Sequence, residues 1–296
     1  MRLAIDYLKA PFPYFGGKSM IAKEVWAHFG DVPNYVEPMF GSGAVLLGRP
    51  SWHTNSIETV NDADGFVANF WRAVVAAPDE VAFHADWPAN ENDLHARHIW
   101  LVDRKERLQR KLEGDPYYYD ARVAGWWAWG MSLWIGGGFC GGKGPWAIEN
   151  GELISRQDRE SGISKQLIHL SNRGQGIKRQ LIHLSSPGQG INRQLIDMSN
   201  KGIFKPEIRD GLMGWIETLA NRLRHVRVCC GDWSRVCGPS PTHKIGLTGV
   251  FLDPPYSDAA GRESNLYRVD SESVAHDVRE WAIANGNDKR MRIALC

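Results

Sequence analysis

The chain has 296 residues, of which 43% are hydrophobic and 23% charged, and its formal net charge is only +1. That length accommodates one large domain, or a core domain with an insertion. No run of about 18 apolar residues occurs, and the N-terminus lacks the pattern of a signal peptide, so the sequence predicts neither a membrane protein nor a secreted one. The five cysteines lack disulfide-like spacing, which predicts a reducing, cytoplasmic setting.

The segment 11–25, PFPYFGGKSMIAKEV, contains Gly17-Lys18-Ser19, which are the last three letters of a phosphate-binding P-loop. Phe12 stands where that loop requires its first glycine, and the prolines on either side of Phe12 have no N–H groups to offer a phosphate. The segment therefore does not favour a nucleoside triphosphatase, and that function is kept only as an alternative.

Short apolar runs alternate with helical patterns in the N-terminal and C-terminal parts of the chain. Strands are predicted at 34–36, 56–60, 226–230, 250–252 and 292–296, and helices at 66–75 and from 271 to Gly286. This alternation predicts an α/β fold with a largely parallel sheet. Three of the strands end in an acidic residue beside Gly, Asn or Pro, and ligands of open α/β sheets bind at the carboxyl ends of the strands.

The alternation is interrupted between residues 91 and 224. A polar helix is predicted at 93–112, and the spacing of Trp126, Trp129 and Leu133 predicts a buried helix face. A tandem repeat of 14 residues follows at about 163–204, with Gln166, Gln180 and Gln194 in equivalent positions. The sequence thus predicts two catalytic-domain segments, 1–90 and 225–296, separated by an inserted region.

The repeat is basic, with nine Lys or Arg residues against three acidic ones between residues 155 and 206. This excess favours contact with the phosphates of DNA, for which Arg173, Lys178, Arg179 and Arg193 are the candidates. A passive expansion on the surface and a protein interface remain alternatives for the same segment.

The strongest motif is Asp253-Pro254-Pro255-Tyr256, which directly follows an apolar strand. This tetrapeptide arises by chance on the order of once in a thousand chains of this length. The two prolines have no N–H, so the segment offers acceptors only, and an exocyclic amino group of a nucleobase can donate to both the Asp253 carboxylate and the Pro254 carbonyl. Tyr256 supplies a ring on which a flipped base can stack. The motif therefore predicts a site that turns the lone pair of an exocyclic amino nitrogen toward an electrophile.

The chain resembles the Dam-like adenine-specific DNA methyltransferases, a phage and bacterial family. The resemblance rests on that tetrapeptide, on Glu37-Pro38-Met39-Phe40-Gly41-Ser42-Gly43 and on Pro13-Tyr14-Phe15-Gly16-Gly17-Lys18, in the family's order. It covers roughly residues 11–75 and 225–296, and the middle of the chain matches in position only. It implies a Rossmann-like methyltransferase fold with an inserted target-recognition region at 91–224, and a sheet that continues beyond the last predicted strand, so that C-terminal strands would be missing here.

The resemblance also implies a cofactor, S-adenosylmethionine, and a set of residues that hold it. Tyr14 and Lys18 would line its pocket, and Asp232 would meet its adenine amino group. Physical reasoning agrees for four others: Gly41 and Gly43 let the backbone approach the methionine part, Glu37 attracts the ammonium, and Asp62 holds the ribose hydroxyls. Asp62 could instead cap a helix, and Asp64 competes with it for the ribose.

The sequence therefore predicts a site-specific adenine methyltransferase acting on double-stranded DNA in the cytoplasm of a bacterial or phage-infected cell, with a cognate restriction nuclease as a candidate partner. Cys229, Cys230, Cys237 and His243 are candidate zinc ligands, but the adjacent Cys229 and Cys230 lie in the apolar run 226–230, which is typical of a buried strand, so no metal is expected. Two alternatives stay open. The same chemistry could act on cytosine, RNA or a protein glutamine, or the chain could be a non-catalytic DNA-binding relic.

Overall fold

The computed structural model describes most of the sheet and its helices. The described residues are 8, 10–12, 18–50, 56–134, 139–141, 146–149, 152–155, 206–255 and 274–296. Of these, 146–149, 152–155 and 206–210 are described by their backbone alone. The predicted site residues Tyr14 and Tyr256, and the DNA-contact candidates Arg173, Lys178, Arg179 and Arg193, lie outside the described residues.

The centre of the protein is a parallel five-stranded sheet. The strands of the described residues are β1 Asn34–Glu37, β2 Ile57–Asp62, β3 Trp146–Glu149, β4 Glu152–Ser155, β5 Val226–Cys230, β6 Thr248–Leu252 and β7 Met291–Leu295. The sheet order is β5-β2-β1-β6-β7, with every neighbouring pair parallel, whereas β3 and β4 form a separate antiparallel hairpin. The predicted mixed α/β fold is confirmed, and its topology is compatible with a Rossmann-like fold.

Eight α-helices belong to the described part of the chain. They are α1 Ala22–Phe29, α2 Ala44–Leu47, α3 Gly65–Ala76, α4 Pro78–Ala85, α5 Glu91–Gly114, α6 Ala121–Leu133, α7 Pro206–Leu223 and α8 Val274–Asn285. Three of them begin at a side-chain cap, since Asp64, Asn90 and Asp120 each accept a hydrogen bond from a backbone N–H of the first turn. Helix α5 extends the predicted polar helix by two residues at each end.

Both faces of the sheet are buried. Neighbouring residues of a strand point to opposite faces, and in β1 Tyr35 joins one hydrophobic cluster whereas Val36 joins the other. The larger cluster contains side chains of α1, α3, α4, α5, α6 and α7, and the smaller one contains Val278 of α8. Burial on both faces explains why the strands read as continuous apolar runs. Helix α5 contributes to the same cluster as α3, so the predicted boundary at residue 91 stays a prediction.

The tryptophan-rich helix α6 packs differently from the prediction in one position. Trp129 and Leu133 are buried as predicted, but the ring of Trp126 is only half-buried, and the neighbouring Trp127 is buried instead. Trp127 contacts Phe12 with ring centroids 4.8 Å apart, so it faces the core, while Trp126 stacks on the guanidinium of Arg97. Helical spacing alone does not show which of these adjacent tryptophans is buried. Helices contact α6 on several sides, so more than one of its faces lies in the core.

Candidate active site

The carboxyl ends of the five parallel strands lie at one edge of the sheet. The strand order reverses between β1 and β6, because the chain leaves β1 toward β2 on one side and β6 leads to β7 on the other. Such a reversal opens a crevice at the carboxyl ends of the two central strands, where ligands of open α/β proteins bind. Glu37 ends β1 and Asp253 follows β6, so these two predicted site residues flank the crevice.

Lys18 forms an ion pair with Asp253 across this crevice. The Lys18 Nζ atom lies 3.0 Å from the Asp253 Oδ1 atom, and both side chains are mostly buried. Burial raises the pKa of the Asp253 carboxyl above its ordinary value, and the Lys18 ammonium acts in the opposite direction. Phe12 anchors the chain before Lys18, because its ring lies 5.1 Å from that of Phe70 and is buried.

Glu37 is almost fully buried, with 2% of its surface exposed. Its Oε2 atom accepts a hydrogen bond of 2.8 Å from the Tyr35 hydroxyl. Burial raises the pKa of Glu37 well above its ordinary value, the Tyr35 hydrogen bond lowers it, and the nearby carboxylates of Asp253 and Asp62 raise it. Three acidic side chains from three adjacent strands thus meet at this edge, which favours a cationic ligand.

The glycine turn between β1 and α2 is held by side chains from neighbouring elements. Gly41 and Gly43 have positive φ angles of 49° and 71°, which side chains disfavour. A Cβ atom on Gly43 would lie 2.8 Å from the ring of Phe40 and 3.1 Å from that of Trp71, so glycine there is required by packing. The Trp71 indole N–H donates to the Gly41 carbonyl at 2.9 Å.

Asp62 braces the same turn. Its two carboxylate oxygens accept hydrogen bonds of 2.8 Å from the backbone N–H groups of Gly41 and Asp64. Asp64 in turn caps α3 by accepting from the Phe66 N–H. The sequence did not decide which of Asp62 and Asp64 caps the helix, and in the structure Asp64 is the cap. Asp62 is positioned beside the glycine turn, and its predicted contact with a ribose stays a prediction.

Asp232 follows β5 at the same edge of the sheet. Its Oδ1 atom accepts hydrogen bonds from the backbone N–H and the hydroxyl of Ser234, and so caps the short 3₁₀ helix Trp233–Val236. Its side chain is exposed, whereas the Trp233 ring is half-buried and lies 6.3 Å from that of Trp281. The predicted contact of Asp232 with an adenine amino group stays a prediction.

Two residues that the motifs did not single out organise this edge. Asn61 is fully buried, and its amide donates to the Pro38 carbonyl at 3.0 Å and to the Gly231 carbonyl at 2.9 Å, which joins the loops after β1 and β5. Tyr35 is the second. Asn61 could have been found from the sequence, because it is a polar residue at the end of an apolar strand, directly before Asp62. Nothing in the sequence indicated the role of Tyr35.

The described residues contain no group of three or more His, Cys, Asp or Glu side chains arranged to hold a metal ion. Cys229 and Cys230 lie in β5, and burial raises the pKa of Cys230 to about 12, which disfavours the thiolate that zinc requires. In the same part of the chain, no helix combines the length and the apolar character needed to cross a membrane.

A cofactor that carries both an ammonium and a sulfonium group fits the carboxyl groups found at this crevice. Glu37, Asp62 and Asp253 place three carboxyl groups at the crevice, and Glu37 lies deep enough to pair with a single ammonium away from water. A bound cation would favour the ionised form of Glu37, whose pKa is raised by burial. Comparison of the chain with models of known protein families found no match, and neither did a search of curated proteins.

Proposed function

We propose that the protein is an S-adenosylmethionine-dependent methyltransferase that modifies the exocyclic amino group of adenine in DNA. The observation that carries this proposal is the meeting of Glu37, Asp62 and the Asp253-Pro254-Pro255 segment at the point where the strand order reverses. The first two acids face the glycine turn, where a cofactor would bind, and the third begins a segment that only accepts hydrogen bonds.

Each residue has a defined task in this proposal. Glu37 pairs with the cofactor ammonium. Asp253 and the Pro254 carbonyl accept the two hydrogens of the target amino group, which draws the nitrogen lone pair out of conjugation and points it at the methyl group. The cofactor supplies an electrophilic methyl group on its sulfonium. Transfer is direct, with the new N–C bond forming as the S–C bond breaks, and the amino group then loses one proton to solvent.

Lys18 has two effects on Asp253 in this scheme. Its ammonium favours the ionised form of the mostly buried carboxyl, which is the stronger hydrogen-bond acceptor for an amino group. The Lys18 Nζ atom also lies 3.0 Å from the Asp253 Oδ1 atom, at a position where a target amino group could otherwise contact that oxygen. A target base would therefore take a place beside Lys18 or displace it from that atom.

The direct test is methyl transfer from labelled S-adenosylmethionine to unmethylated duplex DNA of mixed sequence, followed by nucleoside analysis of the digest. Labelled N6-methyl-2′-deoxyadenosine is the expected product. Labelled N4-methylcytosine, or transfer only to RNA or protein, would replace adenine as the substrate. Calorimetric binding of the cofactor without any transfer would support the non-catalytic relic, and absence of binding would overturn the proposal.

We expect Lys18→Met to make methyl transfer more sensitive to acid. Loss of the ammonium removes an influence that lowers the pKa of Asp253, so the carboxyl becomes protonated at a higher pH. The rate is lost as pH falls through that pKa, and this loss should begin at higher pH in the variant, with rates about tenfold below wild type on the acidic side. Single-turnover rates at saturating cofactor across a pH series measure this.

Lys289→Met, at an exposed position, is the matched control and should keep the wild-type profile. Identical acid limbs in the Lys18 variant and wild type would contradict the role of the ion pair.

A further inference from the structure

Tyr35 and Glu37 form a buried pair on one face of β1. They are two residues apart, so their side chains project from the same side of the strand, and the Tyr35 hydroxyl donates to Glu37 Oε2 at 2.8 Å. Tyr35 is completely buried, and its ring lies 4.8 Å from that of Trp26 and 6.2 Å from that of Phe29. The hydroxyl is therefore held in place by packing and has little freedom to turn away.

The other groups around Glu37 have opposing effects on its charge. The backbone N–H of Leu46, in the first turn of α2, stabilises the ionised carboxylate by a hydrogen bond. Asp253 after β6 and Asp62 at the end of β2 destabilise it, and burial does so most strongly. Lys18 offsets part of the charge of Asp253 through its ion pair. The Tyr35 hydroxyl is thus the side-chain donor that favours the ionised form.

We propose that Tyr35 is a positioning residue for the cofactor, because its hydroxyl favours the ionised form of the Glu37 carboxyl and aims that group at the cofactor ammonium. The inference rests on the proposed function and adds a requirement to it. When the cofactor binds to molecules whose Glu37 is protonated, that proton passes to the buffer, and no covalent bond changes. Cofactor affinity then depends on pH through the ionisation of Glu37, and Tyr35 influences the pH range in which the affinity changes.

A purely structural role would look different. The Tyr35–Glu37–Leu46 contacts could simply hold the glycine turn, and loss of the hydroxyl would then lower stability and affinity by the same factor at every pH. A role in ionisation predicts a loss of affinity that depends on pH. The hydroxyl lowers the pKa of Glu37, so its removal raises that pKa and leaves less carboxylate at any pH below the new value.

The test is calorimetric binding of S-adenosylmethionine to wild type and Tyr35→Phe over a pH series. We expect the variant to bind about tenfold more weakly at pH values below the pKa of Glu37, as for the loss of one hydrogen bond to a charged group. The two affinities should converge at alkaline pH. The cofactor's own amino group titrates equally in both experiments, so the ratio of the affinities isolates the protein. Repeating the titration in buffers of different ionisation enthalpy counts the released protons.

Two further variants and one spectroscopic measurement sharpen the result. Glu37→Gln removes the titrating group, so adding Tyr35→Phe to it should cause no further pH-dependent loss. Tyr118→Phe removes a hydroxyl near Lys111, away from the crevice, and should bind as wild type does. Carbon-13 NMR titration of Glu37 without cofactor should show its pKa higher in Tyr35→Phe than in wild type.

The failures are distinguishable. If wild type binds the cofactor and Tyr35→Phe matches it at every pH, or is weaker by one constant factor, the inference is wrong and the proposed function stands. An unchanged Glu37 pKa in the variant overturns the inference as well. If wild type binds no cofactor at any pH, the proposed function fails and the inference fails with it.

Discussion

Asp253→Ala is expected to reduce methyl transfer on the order of 10²-fold or more while S-adenosylmethionine still binds. The Asp253 carboxylate is the predicted acceptor for one hydrogen of the target amino group, and without it the nitrogen is no longer oriented toward the methyl group. In the proposed function, cofactor binding depends mainly on Glu37 and the glycine turn, and Asp253 influences Glu37 through its charge. Single-turnover transfer and calorimetric binding, measured on the same protein, separate the two effects.

The matched control is Asp277→Asn, at an exposed position on α8, which should transfer methyl groups at the wild-type rate. Asp253 contacts Lys18, so the variant also removes this ion pair. The double variant Asp253→Ala, Lys18→Met removes both charges and should stay as inactive as the single one. A rate within about threefold of wild type in Asp253→Ala would exclude the proposed orientation of the base.

Glu58→Gln is expected to lower the free energy of unfolding by about 3–5 kcal/mol, because it removes a buried negative charge that forms ion pairs with two buried arginines. Glu58 accepts from Arg222 at 2.7 and 2.9 Å and from Arg49 at 2.8 Å. All three side chains are buried. Arg49 also donates to the Val32 carbonyl at 2.6 Å and Arg222 to the Leu46 carbonyl at 3.3 Å, so the network connects β2, α2 and α7.

Chemical denaturation monitored by tryptophan fluorescence measures this change. Asp103→Asn provides a contrast, because Asp103 pairs with Arg104 at 3.1 Å on the surface and 74% of its side chain is exposed. Its removal should cost less than about 1 kcal/mol. Equal losses in the two variants would mean that burial does not set the strength of the Glu58 network. Since α2 follows the glycine turn, Glu58→Gln should also weaken cofactor binding.

The position of the candidate site could be predicted from short segments. The run 226–230 and its following Gly-Asp were predicted as a strand and turn, and β5 has those bounds. The helix predicted at 66–75 is also present, as α3 at Gly65–Ala76, although the residue that caps it is Asp64 and not Asp62. In these cases the information is local: alternation, turn residues and caps act within a few residues of one another.

The partners of these residues were not predictable in the same way. The assignment of Lys18 to a cofactor pocket stays a prediction, and its ion pair with Asp253, which lies on the far side of the inserted region in sequence, was not predicted. Asp62 was assigned to a ribose, and its carboxylate braces Gly41. Gly43 was expected to admit a cofactor, and it makes room for Phe40 and Trp71. Each contact joins elements whose distance in space depends on how the sheet is assembled.

The sequence by itself determined the approximate places of the strands and turns, to within about two residues, and that the fold is α/β, because backbone preference and hydrophobic spacing act over short distances. Only the tertiary structure decided the strand order and the ion pair of Lys18 with Asp253. It likewise decided the Tyr35 hydroxyl on Glu37 and which tryptophan of α6 is buried. Those features follow from packing between segments distant in the chain, where burial and neighbouring charges determine what each side chain contacts.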